Sequence, residues 1–468
     1  MSCQIVNVVL VYLKNRNTIT VSKRISAILF FIIAISCTGC AVKAQRLNRA
    51  KLDSFFYTLS SHNKSMGSVA VSANGVVVYQ KAIGYSQITG DVKTPANVKT
   101  KYRIGSISKM FTGTMIFQLI EEGKLNLATT LATYYPQVPN AAKITIGEML
   151  SHRSGLHNFT SDSLYLTYNT KPKTEAEMLA IIQKEPSDFE PDSKFSYSNT
   201  NFVLLGYIVE KITGMPYAQA LKKRITSKIG LADTYYGGKA NSAMNEARSY
   251  NNFNSKWEQQ TETDMSVPGG AGAIVSTPTD LCKFIEALFA GKLISEASLE
   301  LMRTTRDGYG MAMFQTPFYE KKTYGHNGGI DGFTSVLAYL PDDKVAVAYT
   351  TNGTIFSVND VLTGVLSIYF NKPYTMPDFK SLTLTSQELD KYLGNYSSKE
   401  FPLKIAVTKN NSSLVAQATG QGQFELETVE KDKFVFRSAG VVMQFDPANQ
   451  QFTLTQGGKS YLFTKITP

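Results

Sequence analysis

The sequence predicts an α+β protein: an antiparallel sheet built from both ends of one domain, a mostly helical stretch between those ends, and a small antiparallel β domain at the C-terminus. Two hairpin signals define the sheet. Apolar-rich runs at 67–72 and 76–83 are joined by Ala73-Asn74-Gly75, and Asn-Gly is the strongest short-range hairpin cue. Far downstream, runs at 333–340 and 345–350 flank the turn Pro341-Asp342-Asp343. Between the hairpins the apolar period is helical. Residues 106–122 predict an almost wholly apolar helix (Ile107, Met110, Phe111, Met115, Ile116, Phe117, Leu119, Ile120) stopped by Gly123. A helix apolar on every side is a buried one. Residues 199–213 give a second helix, ended by Gly214 and Pro216, and 278–290 a third.

The composition changes near 373–377. After a helical turn around 387–392, short strands are predicted at 403–408, 414–418, 424–429, 434–437, 441–445, 452–455 and 461–465. Turns such as Lys409-Asn410-Asn411 and Gln456-Gly457-Gly458 separate them. The expected organisation is a leader at 1–44, a first domain at 45–372, a linker at 373–384 and a β domain at 385–468. A chain of 468 residues is long enough for two or three domains. Hydrophobic content of 43% and charged content of 18% exclude disordered and fibrous classes.

Lys14, Arg16, Lys23 and Arg24 precede an apolar run at 25–35 followed by small residues, the pattern of a bacterial secretory signal. The run is short for a membrane span, which leaves an anchor helix as the lesser alternative. Cutting after Val42-Lys43-Ala44 gives a soluble periplasmic chain starting at Gln45. The competing route is lipid attachment at Cys40, in the box Cys37-Thr38-Gly39-Cys40, whose first cysteine is atypical. Removing the leader's five basic residues lowers the net charge from +11 to +6. No basic tract or aromatic-basic interleaving points to nucleic acid. Cys3 and Cys37 leave with the leader, and Cys40 is removed or lipidated. Cys282 then stands alone on an amphipathic helix, so a buried structural thiol is expected and no disulfide.

A serine hydroxyl is a poor nucleophile at neutral pH and needs a proton acceptor within about 3 Å. No Gly-x-Ser-x-Gly elbow occurs in the chain, which argues against the α/β-hydrolase arrangement. Ser106-Ile107-Ser108-Lys109 offers another. Residues three apart share a helix face, so the Lys109 amine can sit beside the Ser106 hydroxyl, where helix N-terminal amides favour negative charge. Lys109 acts as a base only if burial lowers its pKa. The spacing alone is weak, because Ser61-His62-Asn63-Lys64 repeats it in what reads as a loop.

Two further segments supply context. Tyr197-Ser198-Asn199 precedes the second helix. A phenol beside an ammonium can become the phenolate that takes the serine proton, and Asn199 is suited to orient a substrate amide or Lys109. Tyr250-Asn251-Asn252 has the same pattern and reads as core. His326-Asn327-Gly328-Gly329 precedes the downstream hairpin. On a strand His326 and Gly328 point to one face, Gly328 lets a substrate approach closely, and a main-chain N–H near Gly329 joins that of Ser106 as an oxyanion hole. His152 and His157 read as structural, and without His-Glu-x-x-His or a cysteine cluster neither a metal nor a cofactor is expected.

In chain order, Tyr102-Arg103-Ile104-Gly105-Ser106-Ile107-Ser108-Lys109, Tyr197-Ser198-Asn199 and Tyr324-Gly325-His326-Asn327-Gly328-Gly329 resemble the beta-lactamase-related serine hydrolases. That family includes class C beta-lactamases, D-alanyl-D-alanine carboxypeptidases, D-amino-acid amidases and peptidases, and esterases. Stretches at 149–156, 229–234 and 269–280 look similar too, and the likeness runs from about 69 to 352. The resemblance implies a beta-lactamase/transpeptidase-like sheet flanked by helices, a mostly helical region, and a groove between them. It implies Ser106 as nucleophile, proton traffic shared by Lys109 and Tyr197, and substrate or oxyanion contacts from Asn199, His326, Gly328 and Gly329. Which of Lys109 and Tyr197 takes the first proton stays open.

His326 stands where many members carry lysine, and an imidazole with an ordinary pKa near 6.5 is mostly neutral at pH 7. D-peptide, amide or small-ester cleavage is therefore expected ahead of penicillin hydrolysis. The alternatives are a beta-lactamase proper and a non-hydrolytic penicillin-binding receptor. The C-terminal β domain resembles the lipocalin-like extensions of some members, where it restricts access to the groove. The expected partner is a small-molecule or peptide substrate, peptidoglycan fragments included. Nucleic acid and metal are not expected, and a membrane is met only through the leader or a lipid anchor at Cys40.

Overall fold

Two hairpins from opposite ends of one domain meet in a single antiparallel sheet. The computed structural model describes residues 47–468 apart from 254–255, 380–381, 383, 402, 412, 420–421, 457–458 and 467–468. The chain separates into two units, Met1–Leu47 and Asn48–Pro468. The expected leader and Cys40 lie outside the described residues, and the elements below belong to the second unit. Strands β1 (Ser65–Ala73) and β2 (Val76–Ile83) come from the N-terminal side. Strands β3 (Phe314–Phe318), β4 (Lys321–Ile330), β5 (Phe333–Leu340) and β6 (Val345–Thr354) come from the far side. Their order across the sheet is β3-β4-β5-β6-β1-β2. Asn74 and Gly75 both take positive φ, 52° and 81°, as a two-residue hairpin turn requires.

The β1–β6 seam joins the two halves, with Val69 opposite Tyr349 and Val71 opposite Val347. Both strands are buried along nearly their whole length, because helices cover both faces of the sheet. Successive residues of β6 face opposite ways. Tyr349 meets Phe56 of α1 (Arg49–Ser61) at a centroid distance of 5.8 Å. Ala346 and Ala348 join the core on the other face.

At the centre of that core lies α2 (Ser108–Glu121), buried from Ser108 to Leu119. It has no polar stripe because no side of it meets water. The predicted helix at 106–122 begins two residues later than expected, with Gly105–Ile107 forming a 3₁₀ turn that leads into it. Helix α3 (Asn199–Thr213) starts and stops where its periodicity placed it, ended by Gly214 at φ 66°. Helix α4 (Pro278–Phe289) is capped by Thr277, whose side chain accepts the Asp280 N–H. Phe284 of α4 stacks on Phe111 of α2 with centroids 3.8 Å apart, and Cys282 is buried against β1. Helix α5 (Val358–Tyr369) packs on the sheet beside α1. Helix α1 was not anticipated, so the Ser61-His62-Asn63-Lys64 repeat begins on the last residue of a helix.

The C-terminal region is a closed antiparallel barrel of eight strands: β7 (Gly394–Ser397), β8 (Ile405–Asn410), β9 (Ser413–Ala418), β10 (Phe424–Glu430), β11 (Lys433–Phe436), β12 (Val441–Asp446), β13 (Gln451–Gln456) and β14 (Lys459–Ile466). Seven of them coincide with strands that the sequence pattern predicts. The eighth, β7, has Tyr396 as its only large apolar residue and closes the barrel by pairing with both β8 and β14. Tyr396, Phe434, Phe445, Phe452 and Phe463 fill the interior, as expected for a barrel this narrow. Among the described residues no helix is long and apolar enough to cross a membrane.

The Phe111–Phe284 stack ties α2 to α4 in the fully buried core. Phe111→Ala is expected to cost about 3–5 kcal/mol in denaturant unfolding, by lost transfer energy plus the cavity left behind. A cost below about 1 kcal/mol would contradict this packing.

Candidate active site

Gly105 takes φ 52°, a left-handed step cheap only for glycine, and turns the chain from the strand Tyr102–Arg103 into the 3₁₀ turn that carries Ser106. A Cβ on Gly105 would lie 2.7 Å from Gly329 N, so the end of β4 packs directly on this turn. Gly328 packs as closely, since a Cβ there would strike Ile104 O at 1.9 Å. This corrects one expectation: the bare backbone of Gly328 admits the Ile104-Gly105 turn, not a substrate. Gly329 is the residue that faces open space, with its peptide N beside the Ser106 turn.

Lys109 is fully buried, 0% exposed. Its Nζ lies 2.9 Å from Ser106 Oγ, 2.8 Å from Asn199 Oδ1 and 2.9 Å from Ala271 O. No carboxylate is among these contacts, and burial holds its pKa well below the usual lysine range. A neutral amine has two N–H groups and one lone pair. The Asn199 and Ala271 oxygens can only accept, so they take both N–H groups and leave the lone pair for the Ser106 hydroxyl. Asn199 is held in this orientation from outside. Its Nδ2 donates to Thr160 Oγ1 at 3.0 Å and Asn158 Oδ1 at 3.3 Å, and its main-chain N–H donates to Asn158 Oδ1 at 3.0 Å.

Lys109 Nζ lies 4.9 Å from the ring centroid of Tyr197, and the Ser106 side chain is close enough to act on the Tyr197 phenol. Burial raises the phenol pKa, and the Ser106 side chain only partly opposes this. Tyr197 is therefore a protonated donor at rest. Burial thus favours the neutral form of both groups, and of the two neutral forms the amine is the better proton acceptor.

His326 is 3% exposed. Its Nδ1 lies 2.5 Å from Asn327 O and its Nε2 lies 3.3 Å from the Tyr309 hydroxyl. A carbonyl can only accept, so Nδ1 carries the proton and Nε2 accepts from Tyr309. Burial, with the nearby Lys109, pushes the imidazole pKa down to about 3. The expectation of a neutral ring holds. The expectation that His326 lines the groove beside Gly328 does not, because both ring nitrogens are engaged inside the protein.

These segments lie far apart in the chain, and a family model described as Beta-lactamase matches it over residues 57–365. The chain belongs to the beta-lactamase family. Penicillin-binding protein 4* of Bacillus subtilis (strain 168) is 26% identical over 443 residues, covering 88% of this chain and 97% of its own. Teichoic acid D-alanine hydrolase of Staphylococcus aureus (strain MRSA252) is 28% identical over 296 residues, covering 61% of this chain and 70% of its own. The D-amino acid amidase from Ochrobactrum anthropi SV3, complexed with L-phenylalanine amide, superposes with a TM-score of 0.61 at 26% identity. That match covers 69% of this chain and 99% of the amidase.

In this beta-lactamase family member two buried rings complete the site, and the sequence reading did not place them there. The ring of His152 lies 4.2 Å from that of Tyr197 by centroids, and its Nδ1 accepts the Ser198 N–H at 3.1 Å. Tyr309 packs against His152 at 5.0 Å and Phe314 at 4.5 Å. His157 bridges Asp188 and Asp162, at 2.8 Å each, and its main-chain oxygen accepts the hydroxyls of Ser198 and Thr200. Both histidines are structural, as expected, yet what they hold is the loop carrying Tyr197 and Asn199. The only available signal was their shared stretch at 152–157, whose left-handed His152 and Gly155 no pattern of apolar residues announces.

Burial alone would lower the His157 pKa, but hydrogen bonds to Asp188 and Asp162 outweigh it and raise the value. A folded pKa above the unfolded one gives stability that is fully present below the unfolded value of about 6.5 and is lost as pH rises through the folded value. The stability gap between wild type and His157→Gln, measured by urea unfolding, is expected to be larger at pH 5.5 than at pH 9. An equal or larger gap at pH 9 would contradict the bridge.

Proposed function

We propose that the protein is a serine hydrolase that forms an acyl-enzyme on Ser106 and cleaves a D-amino-acid-containing peptide or amide, or a small ester, in the cell envelope. The observation that carries this reading is the buried Lys109 amine 2.9 Å from Ser106 Oγ, with both its N–H groups committed elsewhere. As the Oγ–carbon bond forms, the hydroxyl proton passes to Lys109 Nζ. The Ser106 and Gly329 amides receive the carbonyl oxygen as it turns negative. The leaving group takes its proton from the Tyr197 phenol, which the new lysine ammonium beside its ring helps to deprotonate. Water then attacks the acyl-enzyme, gives its proton to the same pair, and Ser106 regains its hydroxyl.

Charge supports this choice of substrate class. His326 is neutral and internally bonded, so it offers no cation to a substrate carboxylate at that wall. Amides and esters of D-amino acids need none. Relatives named for D-alanine hydrolysis and D-amino acid amidase activity support the same choice. The expected secretory leader supports placement in the envelope.

A panel of chromogenic D-amino-acid esters and amides tests the reading, with a chromogenic cephalosporin alongside. Ser106→Ala is expected to lose about 10³-fold or more in turnover, and mass spectrometry should find the acyl adduct on Ser106 in wild type. Tyr197→Phe should slow turnover by about 10²-fold or more. Cephalosporin hydrolysis should lag well behind the best ester. Wild-type rates in Ser106→Ala would sink the proposal.

A further inference from the structure

Of the two amides that receive the oxyanion, the one from Gly329 comes from a stretch with no side chain to anchor it. Gly328-Gly329 has the most permissive backbone a chain can carry, so its pairing with β5 and the contacts on either side of it must set where that amide sits. Two flanking residues meet this need. Arg103 lies three residues before Ser106, and Asp331 lies two residues after Gly329, in the turn between β4 and β5. Their side chains are each 3% exposed, with Arg103 Nη1 2.9 Å from Asp331 Oδ2.

Both ends of this pair are fastened to one further segment. Asp331 Oδ1 accepts the Thr263 N–H at 3.1 Å and its hydroxyl at 2.7 Å. Arg103 Nη1 donates to Thr263 O at 2.9 Å, and Nη2 donates to Gly238 O and Glu262 Oε2, each at 2.9 Å. A second tie crosses the same gap: Ser335 Oγ donates to Ile104 O at 2.9 Å. A buried ion pair is a poor source of stability, since well-packed apolar residues do as well. A planar guanidinium whose donors are spread over four acceptors does fix direction and distance.

We propose that Arg103 and Asp331 form a positioning pair that sets the separation of the Ser106 and Gly329 amides, a role that rests on the acyl-enzyme reading above. Neither side chain touches the reacting atoms. Asp331→Asn keeps the shape and removes the charge. Asp331→Glu keeps the charge and lengthens the tie by one methylene.

The test uses the full chain, with active sites counted by end-point labelling with a fluorophosphonate. Turnover per labelled site is measured on a D-alanyl ester, together with inhibition by a boronic acid, whose tetrahedral adduct places an oxygen where the oxyanion forms. Both variants are expected to lose at least about tenfold in kcat per labelled site, with a similar loss in boronate affinity, against the 10²–10³-fold lost when an oxyanion donor is removed outright. KM should stay within about threefold. A merely structural role would lower the melting temperature and the labelled fraction only. Unchanged kcat and boronate affinity per labelled site would overturn the proposal. If Asp331→Asn does not fold, Asp331→Glu decides by the same criteria. A wild type that neither labels at Ser106 nor turns over any ester overturns the acyl-enzyme reading, and the positioning pair falls with it.

Discussion

A lysine amine buried without a carboxylate is the constraint from which the rest of the site follows. Stripping water from an ammonium is costly, and Lys109 meets only neutral groups, so its surroundings favour the uncharged amine. Each neighbour then has a defined part. Asn199 and Ala271 take the two N–H groups, Ser106 meets the lone pair, and the ring of Tyr197, whose phenol burial favours in its protonated form, lies beside the amine.

The fold is arranged to keep that amine dry. Helix α2 is buried on every side, so a residue in its first turn is enclosed without any special device. The main chain at Ala271 closes over it from one direction, and α3 closes from another through Asn199. The dry surroundings extend to His326, whose neutral ring joins His152, Tyr309 and Phe314 in an aromatic wall. Burial and the nearby Lys109 both lower the pKa of His326, so this wall contributes no charge of its own to the site.

Much of this was legible in the sequence because it is written in short-range patterns. The Asn-Gly hairpin, the all-apolar period of α2 and the terminators of α3 each specify local structure by themselves. The Ser106, Lys109, Tyr197 and Asn199 constellation was legible only as an ordered set of motifs. What escaped was long-range or weakly patterned. Helix α1 is marked by the Asn48 cap and by apolar residues at Leu52, Phe55, Phe56 and Leu59 but follows directly on the expected leader with no motif to single it out, and β7 owes its strand to two neighbours more than to its own residues. Gly328 was assigned to the substrate because sequence cannot show which side of a strand another turn will press upon. His152 and His157 act through a main-chain amide and a main-chain oxygen, which no spacing rule encodes.

The protonation state of Lys109 can be read directly by NMR, from its side-chain carbon and nitrogen signals across a pH titration, assigned by comparison with Lys109→Arg. A Lys109 signal that titrates well below the exposed lysines is the predicted result. A Lys109 that titrates together with those surface residues would leave Ser106 without its base and contradict the account.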